Sequence, residues 1–221
     1  MTSPANSPDI IFSADKLRLF EAAMGGYHTD KLAELNICLA VAKTAHLKVN
    51  YLDVGTCTGR YPEAFSSLFS YSCAVDKSYD AVRLCKERYD HTNFRVLDVS
   101  IGSIALEFRR KFCFITMMMG TINHINRESH RKILKNMRDA LDSHGCIVLS
   151  YLRRAPPYDV SYLYNRSELE YLLSNKIDSN VIEESKLKVD QSYTTEAFQI
   201  LVLRHKMAGS PDCQAVTHLK A

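Results

Sequence analysis

The sequence has no apolar run approaching the roughly 20 residues that a membrane-spanning helix requires. The first residues, 1–8, are polar and lack the charged-then-apolar pattern of a signal peptide. The chain also lacks internal repeats and low-complexity linkers, and it contains no tryptophan. These absences exclude a helical membrane protein, and we expect a cytoplasmic protein with no membrane partner.

Cysteine is present, but it lacks the spacing that structural cysteines show. The seven cysteines are odd in number, scattered, and include no C-x-x-C pair. This pattern argues against a disulfide framework and a zinc site and favours a reducing compartment. We therefore expect no metal.

Positive and negative charges are present in nearly equal numbers. The 28 basic and 25 acidic residues give a formal net charge of +3, which is too small to indicate nucleic acid or membrane binding by itself. The length of 221 residues and the apolar content of 46% suit one α/β domain with additions.

Hydrophobic patterning predicts helices and strands in alternation. Two helices, 13–24 and 29–45, come first. Buried strands are predicted at 47–54, 71–75, 94–97, 112–118 and 146–152, with helical segments between them. Such repeated strand–helix units imply a parallel sheet with helices on both faces. A helix near 167–174 precedes two further strand-like runs, 181–189 and 193–204, which we expect to form an antiparallel pair.

The most informative segment follows the first of these strands. An apolar run ends at Asp53, and Gly55 and Gly59 follow before the next helical pattern. A strand, a glycine-bearing turn and a helix bring the backbone close to a nucleoside-containing ligand. The dinucleotide pattern G-x-G-x-x-G does not fit, because Cys57 and Arg60 stand where its second and third glycines would be.

This loop resembles the first motif of the class I S-adenosylmethionine (SAM)-dependent methyltransferases, Asp-x-Gly-x-(Gly/small)-x-Gly, with Cys57 where glycine is common. The resemblance covers roughly residues 48–206. It implies a Rossmann-like, seven-stranded, mostly parallel sheet with an antiparallel C-terminal edge strand, and SAM as the cofactor. We predict an N-terminal helical lid at 1–46, a SAM-binding domain at 47–206 and a flexible tail at 207–221.

Ligands of open α/β sheets bind where the parallel strands end, so the residues after each strand are the candidates. A carboxylate at Asp76 can accept both hydrogen bonds of a ribose diol, and Asp98 can accept from an adenine amino group. The resemblance adds Tyr27 as a lid residue near the methionine carboxylate. The predicted cofactor-binding residues are Tyr27, Asp53, Gly55, Thr56, Gly59, Asp76, Lys77, Asp98, Val99, Met118 and Met119.

Each acid also has a simpler interpretation, since Asp76 could cap the following helix and Asp98 could be a turn residue. It is the agreement of all the features in chain order that favours SAM over NAD, the main alternative cofactor. For catalysis we predict His124, Asn123 and Tyr164. His124 follows the fourth strand, and its unperturbed pKa suits a general base near neutrality. His124 and Asn123 could instead serve only to cap the next helix.

The predicted reaction is methyl transfer to nitrogen or oxygen of a small molecule. The segment 155–158, Ala-Pro-Pro-Tyr, is similar to a motif of amino-methyltransferases that act on nucleic-acid bases, but it follows the wrong strand and lacks the leading polar residue. A nucleic-acid or protein substrate is therefore less favoured. Two alternatives stay open: a SAM cyclase or lyase that releases methylthioadenosine, such as an azetidine-2-carboxylate synthase, and a non-catalytic SAM-binding protein. A homodimer is also possible.

Overall fold

The computed structural model describes residues 13–23, 28–44, 48–156, 160–161 and 163–206. Within these ranges the chain forms a seven-stranded sheet with helices on both faces. The strands are β1 (Asn50–Val54), β2 (Tyr71–Asp76), β3 (Asn93–Val96), β4 (Phe112–Met117), β5 (Leu141–Leu152), β6 (Leu187–Thr194) and β7 (Phe198–His205). The helices are α1 (Ala14–Ala23), α2 (His28–Thr44), α3 (Arg60–Phe65), α4 (Tyr79–Arg88), α5 (Ile104–Phe108), α6 (Arg127–Ala140), α7 (Arg166–Ser174) and α8 (Ser179–Glu184), and a 3₁₀ turn at Thr121–His124 separates β4 from α6.

The strand order is β3-β2-β1-β4-β5-β7-β6. Strands β1 to β5 pair in parallel, and β7 is antiparallel to both of its neighbours, β5 and β6. The chain order reverses between β1 and β4, which makes this the switch point where open α/β sheets bind ligands. The predicted Rossmann-like architecture is confirmed, with the antiparallel strand β7 inserted between β5 and the edge strand β6.

Alternating side chains of the strands build a core on each face of the sheet. Leu52 and Val54 pack on the face that is covered by α5, α6 and α8. Tyr51 points to the other face, which α2 and α3 cover, and its ring lies 5.1 Å from Phe65 and 5.9 Å from Phe114, centroid to centroid. Full burial of each such side chain stabilises the fold by roughly 1.5–3 kcal/mol, so both helical layers are held firmly against the sheet.

The C-terminal elements differ from the prediction in two places. The strand predicted at 181–189 is wrong in its first part, because Ser179–Glu184 is helix α8 and β6 begins only at Leu187. The Asp178 side chain accepts a hydrogen bond from the backbone N–H of Asn180, and this cap starts a helix in a run too short for its period to be decisive. The strand predicted at 193–204 is divided, since residues 193 and 194 belong to β6 and β7 begins at Phe198.

Helix α1 links two other helices across one edge of the molecule. The backbone N–H of Ala14 donates to Asp80 near the start of α4, and Glu21 pairs with Arg88 at the end of α4. Lys16 forms an ion pair with Glu168 of α7, with Nζ and Oε1 3.5 Å apart. None of the helices in the described ranges has the length and apolar character that a bilayer crossing requires. The tail predicted at 207–221 lies outside the described residues.

Candidate functional site

A deep cleft lies at the carboxyl ends of the parallel strands, around the switch point between β1 and β4. It encloses about 1140 Å³ when counted out to its open mouth. Most of the predicted site residues line it: Asp53, Gly55, Thr56, Asp76, Lys77, Asp98, Val99, Met118, Met119, His124 and Tyr164.

The glycine loop after β1 turns through three left-handed residues. Gly55, Cys57 and Gly59 have φ angles of 76°, 51° and 80°. A Cβ on Gly55 would lie 2.3 Å from Cγ2 of Thr121, and one on Gly59 would lie 2.6 Å from the ring of Tyr89. The glycines therefore serve the turn and the close approach of neighbouring elements, and Gly59 is not among the residues that line the cleft.

Asp76, at the end of β2, ties the glycine loop to its own strand. Its Oδ2 accepts from the backbone N–H of Cys57 at 2.9 Å, and its Oδ1 accepts from the backbone N–H of Ser78 at 2.8 Å. Burial raises the pKa of this carboxyl, and the hydrogen bonds from Ser78 and Cys57 oppose that shift. Each carboxylate oxygen offers a second lone pair, so Asp76 can still accept from a ligand in the cleft.

Asp98 and Val99 form the next part of the wall, after β3. One oxygen of Asp98, Oδ1, accepts from the backbone N–H of Ser100 at 2.8 Å and from its hydroxyl at 2.6 Å. The Val99 side chain is buried, and its carbonyl accepts from Nδ2 of Asn136 on α6 at 3.0 Å. The loop after β3 is thus fixed from both sides, with the Asp98 carboxylate on the cleft wall.

Asp53 lies beneath the glycine loop and is almost completely buried. The Thr116 hydroxyl of β4 donates to its Oδ1 at 2.6 Å, and the Tyr51 hydroxyl lies 2.7 Å from the same Thr116 oxygen. Burial raises the pKa of Asp53 to about 7, and the hydrogen bond from Thr116 works against that rise. The carboxyl therefore titrates near neutrality in the ligand-free protein.

His124 and Tyr164 meet at the far side of the cleft, beyond β4. Their ring centroids are 5.6 Å apart, and the Tyr164 hydroxyl lies 3.4 Å from Nε2 of His124. The ammonium of Lys16 lies 5.3 Å from the centre of the Tyr164 ring. Burial, together with the positive charges of Lys16 and Lys77, lowers the pKa of His124 to about 3. The expectation of a pKa near neutrality is therefore wrong, and the imidazole is neutral at physiological pH.

Asn123 lies beside His124 but faces away from the main cleft. Its Oδ1 accepts from the backbone N–H of Leu152 at 2.8 Å, and its Nδ2 donates to the carbonyl of Leu172 at 2.8 Å. In return, Nδ2 of Asn175 donates to the Asn123 carbonyl at 2.7 Å. The amide is thus occupied by buried backbone groups, which argues against the predicted catalytic role and assigns Asn123 to the connection between β5, α7 and the 3₁₀ turn.

The remaining predicted residues are distributed as follows. Met118 is buried, with its sulfur 3.7 Å from the Cys38 thiol of α2. Met119 has a left-handed φ of 55° and lines both the cleft and a smaller recess beside His124. Lys77 lies on the cleft wall next to Asp76. Tyr27, the predicted lid residue, lies outside the described residues.

Sequence reasoning missed several residues that line the cleft. They are Phe20 from α1, Lys31 from α2 and Arg60 from α3. Lys31 had a detectable signal, since it is spaced seven residues from Cys38 and ten from Val41 on the buried face of α2. A lysine on this buried face, with the buried acid Glu34 three residues further along the helix, is unusual enough to be a functional candidate.

The cleft offers hydrogen-bond acceptors for the donor groups of SAM. SAM carries a ribose diol and an adenine amino group, which need acceptors, and Asp76 and Asp98 line the wall next to the glycine loop. The left-handed turn at Gly55 keeps that loop close to the strand ends, with its N–H donating to the Val75 carbonyl at 2.8 Å. Three methionines, Met117 to Met119, supply soft apolar walls in the same cleft.

Solved structures share this fold. A SAM-dependent methyltransferase from Clostridium acetobutylicum is 13% identical, with 86% of this chain and 98% of that chain covered and a TM-score of 0.64. The N-methyltransferase NodS from Bradyrhizobium japonicum, in complex with S-adenosyl-L-homocysteine (SAH), is 14% identical, covers 78% of this chain and 86% of that chain, and has a TM-score of 0.59. The mitomycin 7-O-methyltransferase MmcR is also 14% identical, with coverage of 78% and 54% and a TM-score of 0.57.

Sequence comparison points to the same kind of protein. No curated protein matches the sequence. Residues 52–145, from β1 into β5, match the family model of a methyltransferase domain. This match covers the glycine loop, both acids of the cleft wall and the segment after β4. Residues 52–145 therefore resemble a methyltransferase domain, and they lie within a fold that SAM-dependent methyltransferases share.

Proposed function

We propose that this enzyme methylates a small molecule, which binds beside His124 and Tyr164. The observation that carries the proposal is the shape of the cleft at this end. Phe20 and Met119 wall it, the His124–Tyr164 pair supplies its polar groups, and a smaller recess continues from it. Apolar walls with a few convergent polar groups suit a small organic acceptor better than an extended polymer.

The electrostatics of this end favour an uncharged amine as the nucleophile, with a hydroxyl as the second choice. Burial and the charges of Lys16 and Lys77 disfavour the protonated form of His124. The same two effects would disfavour protonation of an acceptor amine, and an amine must be neutral to attack. For a hydroxyl acceptor these two effects oppose one another, because burial disfavours the alkoxide or phenolate anion while the ammonium groups of Lys16 and Lys77 favour it. SAM supplies a methyl group that is already activated on a positively charged sulfur.

In this proposal the described residues have separate tasks. Asp76 and Asp98 hold the adenosine part, and the glycine loop with Asp53 and Thr56 supports the part nearer the sulfur. His124, neutral throughout, and Tyr164 orient the acceptor by hydrogen bonds. Helix α1, which contributes Phe20 to the cleft and is tied to both α4 and α7, forms part of the predicted lid. Two structural neighbours, an N-methyltransferase and an O-methyltransferase, are in keeping with such acceptors.

The experiment is an acceptor panel with methyl-labelled SAM. Small primary and secondary amines, phenols and carboxylic acids are compared with RNA, DNA and unfolded protein, and label transfer is measured by mass spectrometry. We expect transfer to members of the small-molecule set, with amines foremost. Label that goes only to a polymer would contradict the proposed acceptor class while leaving SAM binding intact.

Variants test the proposed acceptor end. His124→Ala and Tyr164→Phe should each lower kcat/KM for the acceptor by about 10- to 100-fold, since each removes one hydrogen bond that orients it. SAH affinity should change by less than about threefold, because neither side chain is assigned to the cofactor. His91→Ala, at an exposed site after α4, is the matched control. Equal kcat/KM for His124→Ala and the wild type would remove His124 from the mechanism.

The pH profile gives a second test of His124. With a pKa of about 3 the imidazole stays neutral between pH 5 and 8, so its titration should add no limb to the activity profile in that range. The measurement is kcat/KM against pH for the wild type and for His124→Asn. A limb near pH 6.5 that disappears in the variant would show that His124 does act as a titrating base.

A further inference from the structure

Lys31 is a buried lysine that lines the cleft. It belongs to α2, its residue surface is 2% exposed, and its Nζ has no hydrogen-bond partner among the described residues. A buried ammonium without a partner destabilises the folded state, and proteins retain such groups chiefly at functional sites. The position therefore calls for a ligand rather than a structural explanation.

The surroundings of Lys31 place it at one end of the cleft. It lines the cleft, and the charged and titratable groups that face it are Arg60 of α3, Cys57 of the glycine loop, Glu21 of α1 and Glu34 of its own helix. Both acids have other partners. Glu21 pairs with Arg88, and Glu34 accepts a hydrogen bond from the Tyr61 hydroxyl at 3.3 Å.

The order of the strands shows which part of SAM reaches this end. Along the edge of the sheet the cleft passes from Asp98 after β3 to Asp76 after β2, then to the glycine loop after β1, and then to the residues after β4. With the adenosine at the two acids and the methyl group directed to His124, the amino-acid part of SAM lies over the glycine loop. Lys31 lines the cleft together with Cys57 of that loop and Arg60 of the helix that follows it.

We propose that Lys31 binds the carboxylate of the methionyl part of SAM. The other cations on the cleft wall are less suitable: Arg60 is exposed, and Lys77 adjoins Asp76 at the ribose end. The inference depends on SAM being the cofactor and is independent of the proposed acceptor, so either can fail alone.

The protonation of Lys31 agrees with this role. Burial, together with the positive charge of Arg60, lowers the pKa of Lys31 to about 7. A carboxylate beside the ammonium favours the charged form and raises the pKa again. The ligand thus supplies the counter-charge that the ligand-free protein does not provide by hydrogen bonding.

The test compares SAM with decarboxylated SAM, which keeps the amine and the sulfonium and lacks only the carboxylate. Dissociation constants are measured by calorimetry for the wild type, Lys31→Met and Lys43→Met, a control at an exposed lysine near the end of the same helix. Lys31→Met should weaken SAM about 10- to 100-fold and decarboxylated SAM by less than about threefold, because only SAM loses a charged hydrogen bond. Lys43→Met should match the wild type. The proposal would be overturned if Lys31→Met lost affinity equally for both ligands, or if its affinity for SAM did not change.

Two further measurements keep the test decisive if the variant folds poorly. The wild type alone should bind SAM about 10- to 100-fold more tightly than decarboxylated SAM, and equal affinities would contradict the inference without any variant. The melting temperature of ligand-free Lys31→Met should equal or exceed that of the wild type, since an apolar side chain replaces an unpartnered charge. A lower melting temperature would identify Lys31 as structural.

Discussion

Cys57 occupies a left-handed conformation, with a φ of 51°, between the two glycines of the loop. Residues with a Cβ adopt this conformation at a steric cost of about 1–2 kcal/mol, whereas glycine adopts it without that cost. Its backbone N–H still donates to Asp76, so the turn is intact although cysteine stands where the motif commonly has glycine. The geometry explains why glycine is common here and why cysteine is tolerated.

We predict that Cys57→Gly leaves the free energy of unfolding unchanged or raises it by up to about 1 kcal/mol, since the steric cost at this φ disappears. Cys57→Val should lower it by about 1–2 kcal/mol, because a β-branched side chain suits a left-handed residue least. Urea unfolding of both variants measures the difference. A stability order with Val above Gly would contradict the backbone argument.

Asp53 makes stability depend on pH in a defined direction. Its pKa rises from 3.8 to about 7 on folding, so the native state binds the proton more tightly than the unfolded chain. The resulting stabilisation is complete below pH 3.8 and is lost as the pH rises through 7. Asp53→Asn mimics the protonated form and should remove this dependence.

The ligand-free Asp53→Asn variant should therefore gain stability over the wild type as the pH rises, by on the order of 1–3 kcal/mol between pH 5 and pH 8. Urea unfolding at the two pH values measures the gain. The same difference between Asp53→Asn and wild type at both pH values would mean that Asp53 does not titrate near 7.

Cleft residues that follow strands could be predicted from the sequence, whereas those that reach the cleft from helices could not. Asp76 and Asp98 could be predicted because parallel strands end at a common edge. Lys31 comes from a helix whose packing over the glycine loop no local pattern specifies. The low pKa of His124 was equally unpredictable, since it depends on burial and on Lys16, which lies more than a hundred residues away in the sequence.

Asn123 joins three elements into one buried connection. It pairs with backbone groups of Leu152 at the end of β5 and of Leu172 in α7, and Asn175 completes the connection from the end of α7. Removing such an amide leaves several buried donors and acceptors unpaired. The element that presents His124 to the cleft is held in position by this connection.

We predict that Asn123→Asp lowers the free energy of unfolding by about 2–4 kcal/mol, because a carboxylate cannot donate to the carbonyl of Leu172 and is itself buried. Asn180→Asp, at an exposed position in α8, should change it by less than about 0.5 kcal/mol. Thermal and urea unfolding provide the comparison. A stable Asn123→Asp enzyme that has lost turnover alone would restore the catalytic role predicted from the sequence.

Long elements with a clear period were predictable, whereas short ones were not. Helix α2 agrees with its predicted segment, 29–45, to within one residue, because its 17 residues span several helical turns. The sequence of helix α8 is typical of a strand, because Val181 and Ile182 are β-branched and the six residues of the helix span fewer than two turns. Its identity depends on the Asp178 cap and on packing against the sheet.

A ligand that binds the folded protein and not the unfolded chain stabilises the whole molecule. We predict that SAH at 100 times its dissociation constant stabilises the protein by about 2.7 kcal/mol, which raises the melting temperature by roughly 5–10 °C. NAD at the same concentration should produce no shift, because the loop lacks the second and third glycines of the dinucleotide pattern. A shift with NAD that equals the shift with SAH would contradict the cofactor assignment.

The most direct test of the account is the identity of the nucleoside that the enzyme makes from SAM. The purified protein is incubated with SAM, with and without the small-amine panel, and the nucleoside product is identified by mass spectrometry. Methyl transfer to a small acceptor predicts SAH that forms only when the acceptor is present. Methylthioadenosine that forms without any acceptor would contradict it and would identify an enzyme that cyclises or cleaves SAM.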